Sequence, residues 1–426
     1  MFKSEINSFV QNMDVIRGYI NSVEPVLLEK CSENFKKDAE DLSVLLLLFN
    51  DSRLNDGESD FELSEEAKNK IKENFDGEII IEPCDDGEGC NLKVNGSGGD
   101  RFAKAMENLA KHENQKMLLY KSSLMSIIST VECFILDFLK SYFQQYNHEI
   151  TSTLISKKDK HFTLDELESF ADVKDAKMFI IDNKLENLIR GSFEDWIDFL
   201  KEKLNLNMGY INEVKERLIE VFQRRNIVVH NKGIVNSIYL SKVSGKYKNE
   251  VKKGYPVFLD RQYLESAIND LELNFSLIAF ELWKNKKKDD QSRFKLLTNL
   301  ISSNLDFKRW EIIKGFSTFL GNDSCCTHWH KMFAKINYWL SCKRLGTFDK
   351  VKDKVIAEDL SACTMDFQLC KSALLDEKDN VFRLMNQILE NEILSFDDID
   401  SWPIFDEYKE DTMYQDIENR WKGEDI

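Results

Sequence analysis

The sequence predicts a mainly α protein: a helical bundle with a small β insertion, followed by an α-helical, repeat-like array. Three observations lead there. Only 4 Pro and 17 Gly occur in 426 residues, too few for a turn-rich β fold. Apolar residues recur at helical spacing over long stretches. Strand-like patterns are confined to short segments near residues 78–94 and 237–260. The length suits two or three domains, and changes in pattern place them at 1–100, 101–285 and 286–426.

The first fifty residues are expected to be helical, with Ile6, Phe9, Val10, Met13, Ile16 and Ile20 on one face. Val44–Phe49 is an apolar run too short to span a bilayer and fits a buried helix segment. Asp56-Gly57, Asp76-Gly77, Asp86-Gly87 and Asn95-Gly96 then punctuate the chain. Between them, Glu78–Glu82 and Leu92–Val94 predict two strands joined by loop 83–91. Gly96-Ser97-Gly98-Gly99 marks a break. From 101 to 146 one long helix is expected, with Ser and Cys among its apolar positions. Shorter helices follow around Leu164–Phe170, where Thr163 and Glu166 form a capping box, and over Phe193–Leu204. A helix from Asn212 to His230 should stop at Asn231-Lys232-Gly233, since Gly tolerates the left-handed conformation. Residues 237–260 suggest a hairpin, and 261–284 a helix.

The charge run Lys284–Asp290 is expected to be a linker. Beyond it, separators at Ser302-Ser303-Asn304, Gly321-Asn322-Asp323 and Gly346-Thr347 divide the chain into units of about 30–40 residues, which suggests TPR-like stacking. Trp402–Phe405 would close the array.

A net charge of −17 argues against binding nucleic acid or anionic membrane over the whole surface. Nine cysteines without a framework spacing suggest reduced thiols. Met1-Phe2-Lys3-Ser4-Glu5 offers no cleavable apolar core, so a cytoplasmic protein without membrane contact is expected. One segment departs from the acidic background: residues 214–253 hold ten Lys or Arg against three acids. Such an island is what RNA contact needs; its plainer reading is a solvated basic face.

Inside that island lies Arg224-Arg225-Asn226-Ile227-Val228-Val229-His230-Asn231. It resembles the signature of HEPN ribonucleases, in which an Arg, a polar residue and a His lie near the end of a helix. Arg225, Asn226 and His230 occupy those positions. The resemblance extends over about residues 101–285. It includes Ser129–Leu136 on an upstream helix, Glu194-Asp195-Trp196, and Ile238-Tyr239-Leu240 after the motif. It implies a homodimer and a toxin or antiphage setting of the abortive-infection kind, where a regulatory protein or a phage-derived trigger would be a further partner. It also places a polar residue on the upstream helix facing the cleft, which here is Glu132.

The chemistry agrees. Cleavage of RNA through its own 2′-hydroxyl needs a proton acceptor, a proton donor and a cation at the phosphorane. His230 suits either proton role, and Arg225 offers a permanent planar charge. Asn226 can hold a phosphate or orient the imidazole. Glu132 beside His230 would favour the imidazolium. Arg224, Lys232, Lys215 and Arg217 are the candidate RNA-binding cations. The set requires no metal or other cofactor, and the products would be a 2′,3′-cyclic phosphate and a 5′-hydroxyl. One difficulty is geometric: residues five apart on a helix diverge by about 140°. Either the helix ends before His230, or Arg225 bends round, or a second copy completes the cleft. The competing reading is an inactive HEPN-like dimerisation and binding module, in which Arg225 pairs with a carboxylate and His230 merely ends a helix.

Other constellations are weaker. Cys325-Cys326-Thr327-His328-Trp329-His330, with Cys342, lacks a standard zinc spacing. Cys84 and Cys90 flank a turn that is not a calcium loop. Residues 400–426 carry nine acids and three bases, which suggests either a solvated terminus or a tail that covers the basic island.

Overall fold

The computed structural model describes residues 1–37, 69, 77–83, 90–96, 99–155 and 163–422. The protein is mainly helical, as expected. In chain order the elements are α1 (Lys3–Lys37), β1 (Gly77–Pro83), β2 (Cys90–Gly96), α2 (Gly99–Gln145), α3 (Ile150–Thr153), α4 (Leu164–Glu168), α5 (Val173–Ile189), α6 (Phe193–Leu204), α7 (Lys215–His230), α8 (Ser237–Lys242), α9 (Gly245–Lys248) and α10 (Arg261–Lys286). Then follow α11 (Gln291–Asp306), α12 (Trp310–Gly321), α13 (His328–Arg344), α14 (Lys352–Ala357), α15 (Met365–Leu374), α16 (Lys378–Glu390), α17 (Phe396–Asp400) and α18 (Thr412–Lys422). The Val44–Phe49 run, Asp56-Gly57 and Cys84 lie outside the described residues.

The chain divides into two compact units. The larger comprises Met1–Met13, Ile127–Val257 and Glu265–Ile426. Its core begins at the N-terminal end of the chain, where Phe2, just before α1, meets Phe138 edge-on at 4.7 Å and Phe9 of α1 stacks on Phe134 at 4.3 Å. The partners are spaced two turns apart on the first segment and one turn apart on α2, so each presents a single face to the other. The segment Lys111–Gln145 is apolar and long enough to cross a membrane; here Ile127, Ile128, Val131, Ile135, Phe138 and Leu139 are buried. Helix α10 is buried nearly all round, with Ile268, Leu271, Phe275, Ile278, Ala279, Leu282 and Trp283 inside.

The expected boundary at 285 falls within this unit, and the charge run is a tight turn rather than a linker. Helix α10 runs to Lys286, and Asp290 caps α11 by accepting the Ser292 N–H at 3.1 Å. The same Asp290 accepts the Trp283 indole N–H at 2.9 Å. Arg293, fully buried, pairs with Asp323 across the next turn.

From α11 onward successive helices pack as neighbours: α11 on α12, α12 on α13, α13 on α15 and α15 on α16. Gly321-Asn322-Asp323 and Gly346-Thr347 separate helices as expected. Ser302-Ser303-Asn304 does not, because Ser303 and Asn304 donate back to the carbonyls of Asn299 and Leu300 within α11. Pro403, Ile404 and Phe405 form a buried turn. The acidic tail is folded too: Tyr414 and Ile417 of α18 are buried, and the Tyr414 hydroxyl donates to Asp400 at 2.8 Å. Its described part belongs to the array rather than covering the basic island.

The hairpin expected over 237–260 is replaced by α8 and α9. Asn236 accepts the Tyr239 N–H at 2.8 Å and so starts a helix. In the first half of that segment the apparent alternation is Tyr239 and Val243 turning inward one helical turn apart. Pairing survives at the Ile234–Pro256 bridge, where the Val257 N–H donates to the Gly233 carbonyl at 2.8 Å.

The second unit comprises Asp14–Ser126 and Phe258–Leu264. It contains the expected two-stranded antiparallel sheet, with Ile79 opposite Val94 and Ile81 opposite Leu92. Glu24 on α1 is buried; it accepts from the Tyr120 hydroxyl and from Arg261 at 3.2 Å.

Candidate active site

Helix α7 presents one face to the core and another to a cleft. Leu218, Val221 and Val228 are buried at helical spacing and face the core. Gln223, Asn226, Ile227 and His230 form a second stripe at i, i+3, i+4 and i+7, and all four line one cleft. The helix remains regular through His230. It stops because the Asn231 and Gly233 N–H groups both donate to the Ile227 carbonyl, at 2.8 and 2.9 Å. Lys232 and Gly233 then take positive φ values of 57° and 84°.

Successive helical residues point about 100° apart, and this sorts the two arginines. Arg224 turns inward and is 7% exposed. Its Nε donates to Glu220 Oε1 at 2.5 Å, and the Tyr239 hydroxyl donates to the same oxygen at 2.7 Å. Burial, with the Glu220 charge beside it, raises the Tyr239 hydroxyl above its usual value and keeps it protonated. Arg225 instead opens on the cleft. It donates to Glu132 Oε1 on α2 at 2.7 Å and to Asn226 Oδ1 at 3.3 Å.

Glu132 therefore meets the arginine, which corrects its expected place beside the His230 imidazole. Burial pushes its carboxyl above the ordinary value, and the charge and hydrogen bond of Arg225 pull the other way. His230 is exposed at the cleft rim.

The opposite walls come from α6 and α8. Ser192 caps α6 in a capping box: its Oγ accepts the Asp195 N–H at 3.2 Å, and Asp195 accepts the Ser192 N–H at 2.7 Å. Those bonds hold the Asp195 carboxyl below its usual range. Phe193, Trp196 and Phe222 make an apolar floor, with Phe193 stacked on Phe222 at 5.1 Å. Helix α8 contributes Ile238, Tyr239 and Lys242. The cleft encloses about 650 Å³, a size that suits a nucleotide-scale ligand.

Thus Arg225, Asn226, His230 and Glu132 come together, and the expected RNA-binding cations do not. Arg224 is buried and paired. Arg217 pairs with Asp270 near the start of α7, and Lys215 lies on the same turn, about 20 Å along the helix from His230. Lys232 is exposed beyond the helix end, outside the cleft lining. The cations that do line it are Arg190 and Lys242. Lys242 already stood in the basic island, and Gln223 could have been found from its i, i+3, i+7 relation to Asn226 and His230. Arg190, at the end of α5, carried no signal in sequence.

Among the described residues no group of three or more His, Cys, Asp or Glu is placed to hold a metal ion. In the Cys325–His330 stretch, Thr327 caps α13 by accepting the His330 N–H at 3.3 Å, and Cys326 is buried. No family model, curated protein or solved structure matches the chain.

Proposed function

We propose that the chain is a metal-independent endoribonuclease of the HEPN kind, acting as a toxin or in antiphage defence. One observation carries this reading: Arg225, Asn226 and His230 open on a single cleft that also holds Arg190 and Lys242. Three guanidinium or ammonium groups in one recess suit a phosphodiester. His230 moves the proton, either from the 2′-hydroxyl or to the departing 5′-oxygen. The 2′-oxygen bonds to phosphorus as the bond to the 5′-oxygen breaks, and Arg225 steadies the charge on the phosphorane. The second proton role falls to a second copy of the motif across a two-fold dimer. The helical array after residue 290 is the regulatory part, stacked in the TPR manner.

The Arg225–Glu132 ion pair favours a second reading, a catalytically silent binding module in which that pair is structural. One assay separates the two. Labelled RNA is incubated with the protein in EDTA, beside Arg225→Ala, His230→Ala and Glu132→Gln. The nuclease reading expects cleavage that both alanine variants lose by 100-fold or more, on the order of what one proton-transfer or oxyanion group supplies. It also expects Glu132→Gln to bind RNA several-fold tighter. Cleavage indifferent to both alanine substitutions would refute the assigned roles.

A further inference from the structure

Gln223 stands apart from every other polar group on α7. It is only 6% exposed as a residue, and its amide, unbonded to any described residue, opens on the cleft. It lies on the cleft side of the helix, between the apolar floor of Phe222 and the polar Asn226. A side-chain amide in a cleft wall with no protein partner keeps its donor and acceptor for whatever enters the cleft.

We infer that Gln223 reads a nucleobase of the bound RNA strand, and so sets which phosphodiester the cleft accepts. The inference rests on the nuclease reading for the identity of the ligand. Three features of the cleft match the three parts of a nucleotide. The cations Arg190, Arg225 and Lys242 suit the phosphate. The floor of Phe193, Trp196 and Phe222 suits the apolar face of a base. Gln223 suits the base edge, because a side-chain amide meets a donor beside an acceptor with two parallel bonds, as with N6–H and N7 of adenine. Gln223 and His230 lie about 10 Å apart along the helix axis. Base reading and phosphate chemistry thus fall on neighbouring parts of one strand.

The test uses binding, so that it stands apart from cleavage. Fluorescent oligo-A, oligo-C and oligo-U with 2′-fluoro sugars, which have no 2′-hydroxyl to attack, are titrated against the full chain by anisotropy. Wild type is expected to spread the three affinities by about fivefold or more, in line with the discrimination of one bidentate contact. Gln223→Met fills the same space without an amide and should collapse that spread to within twofold while keeping the wild-type Tm. If Gln223→Met fails to fold, Gln223→Glu serves: it keeps the shape, removes the donor and should reorder the three affinities. Equal affinities in wild type, no binding of any oligomer, or a spread unchanged in the variant would each overturn the inference. Discrimination that depends on Gln223 without cleavage of ordinary RNA would leave base reading in place and remove the nuclease reading.

Discussion

Glu220 holds the interior side of α7 in place, and replacing it gives a measurable consequence. Its carboxylate is wholly buried and receives both the Arg224 guanidinium and the Tyr239 hydroxyl. Glu220→Leu would leave the Arg224 charge inside the protein without its counter-ion, a change that typically costs about 3–5 kcal/mol. At about 2 °C per kcal/mol for a large chain, Tm should fall by roughly 6–10 °C. The double variant Glu220→Leu with Arg224→Leu removes both charges together and should recover most of that loss, because a buried pair replaced by apolar side chains is often close to neutral. Thermal and urea unfolding of wild type, the single variant and the double variant read this directly. A single variant within about 1 kcal/mol of wild type, or a double variant no more stable than the single, would refute the account.

Two further outcomes follow from the packing. Burial raises the Asp270 carboxyl from 3.8 to about 6, opposed by Arg217 and reinforced slightly by Glu311. A raised acid contributes stability that is fully present below its unfolded value and is lost as pH climbs through the folded one. Asp270→Asn should therefore gain on wild type by about 2 kcal/mol between pH 4 and pH 7, measured by urea unfolding at both; parallel stabilities would contradict the assignment. Gly315 on α12 has no room for a side chain, since an added Cβ would lie 2.4 Å from Leu273 Cδ2. Gly315→Ala should lower stability by about 1–3 kcal/mol through overpacking, and Leu273→Ala in the same chain should relieve part of it; an unchanged melting curve for Gly315→Ala would show that Leu273 moves aside freely.

The helices were legible in sequence because their signals are local. Long apolar stripes marked α1, α2, α7 and α10, and Thr163, with its N–H bonded to Glu166 at 2.8 Å, capped α4 as its pattern implied. The two strands also showed, through three consecutive isoleucines between Gly-containing turns. What failed depended on specific side-chain bonds that residue type and periodicity do not reveal. Ser302-Ser303-Asn304 looked like a break, but its side chains bond within the helix. Residues 284–290 looked like a solvated linker, but Trp283 and Arg293 anchor the turn at both ends. Charge counts overstated the RNA-binding set, because counting cannot see that Glu220 and Asp270 neutralise Arg224 and Arg217 inside the fold.

The same limit governs the choice between the two arginines. Arg224 pairs with a carboxylate on its own helix, four residues back, and that spacing is visible in sequence. The partner of Arg225 is 93 residues away on α2, and only the fold reveals it. The two pairs differ in physical character. Glu220 is wholly enclosed, so Arg224 has no access to a ligand. Glu132 and Arg225 each keep about a quarter of their side-chain surface exposed, and they meet at the wall of an open cleft. Burial makes the charged form of Glu132 costly, so it is a weaker counter-ion than its distance alone suggests. A phosphate brings more charge and more acceptor oxygens to the same guanidinium. An ion pair of this kind is one that a nucleic-acid backbone can displace, whereas the pair behind it is one that the fold must keep.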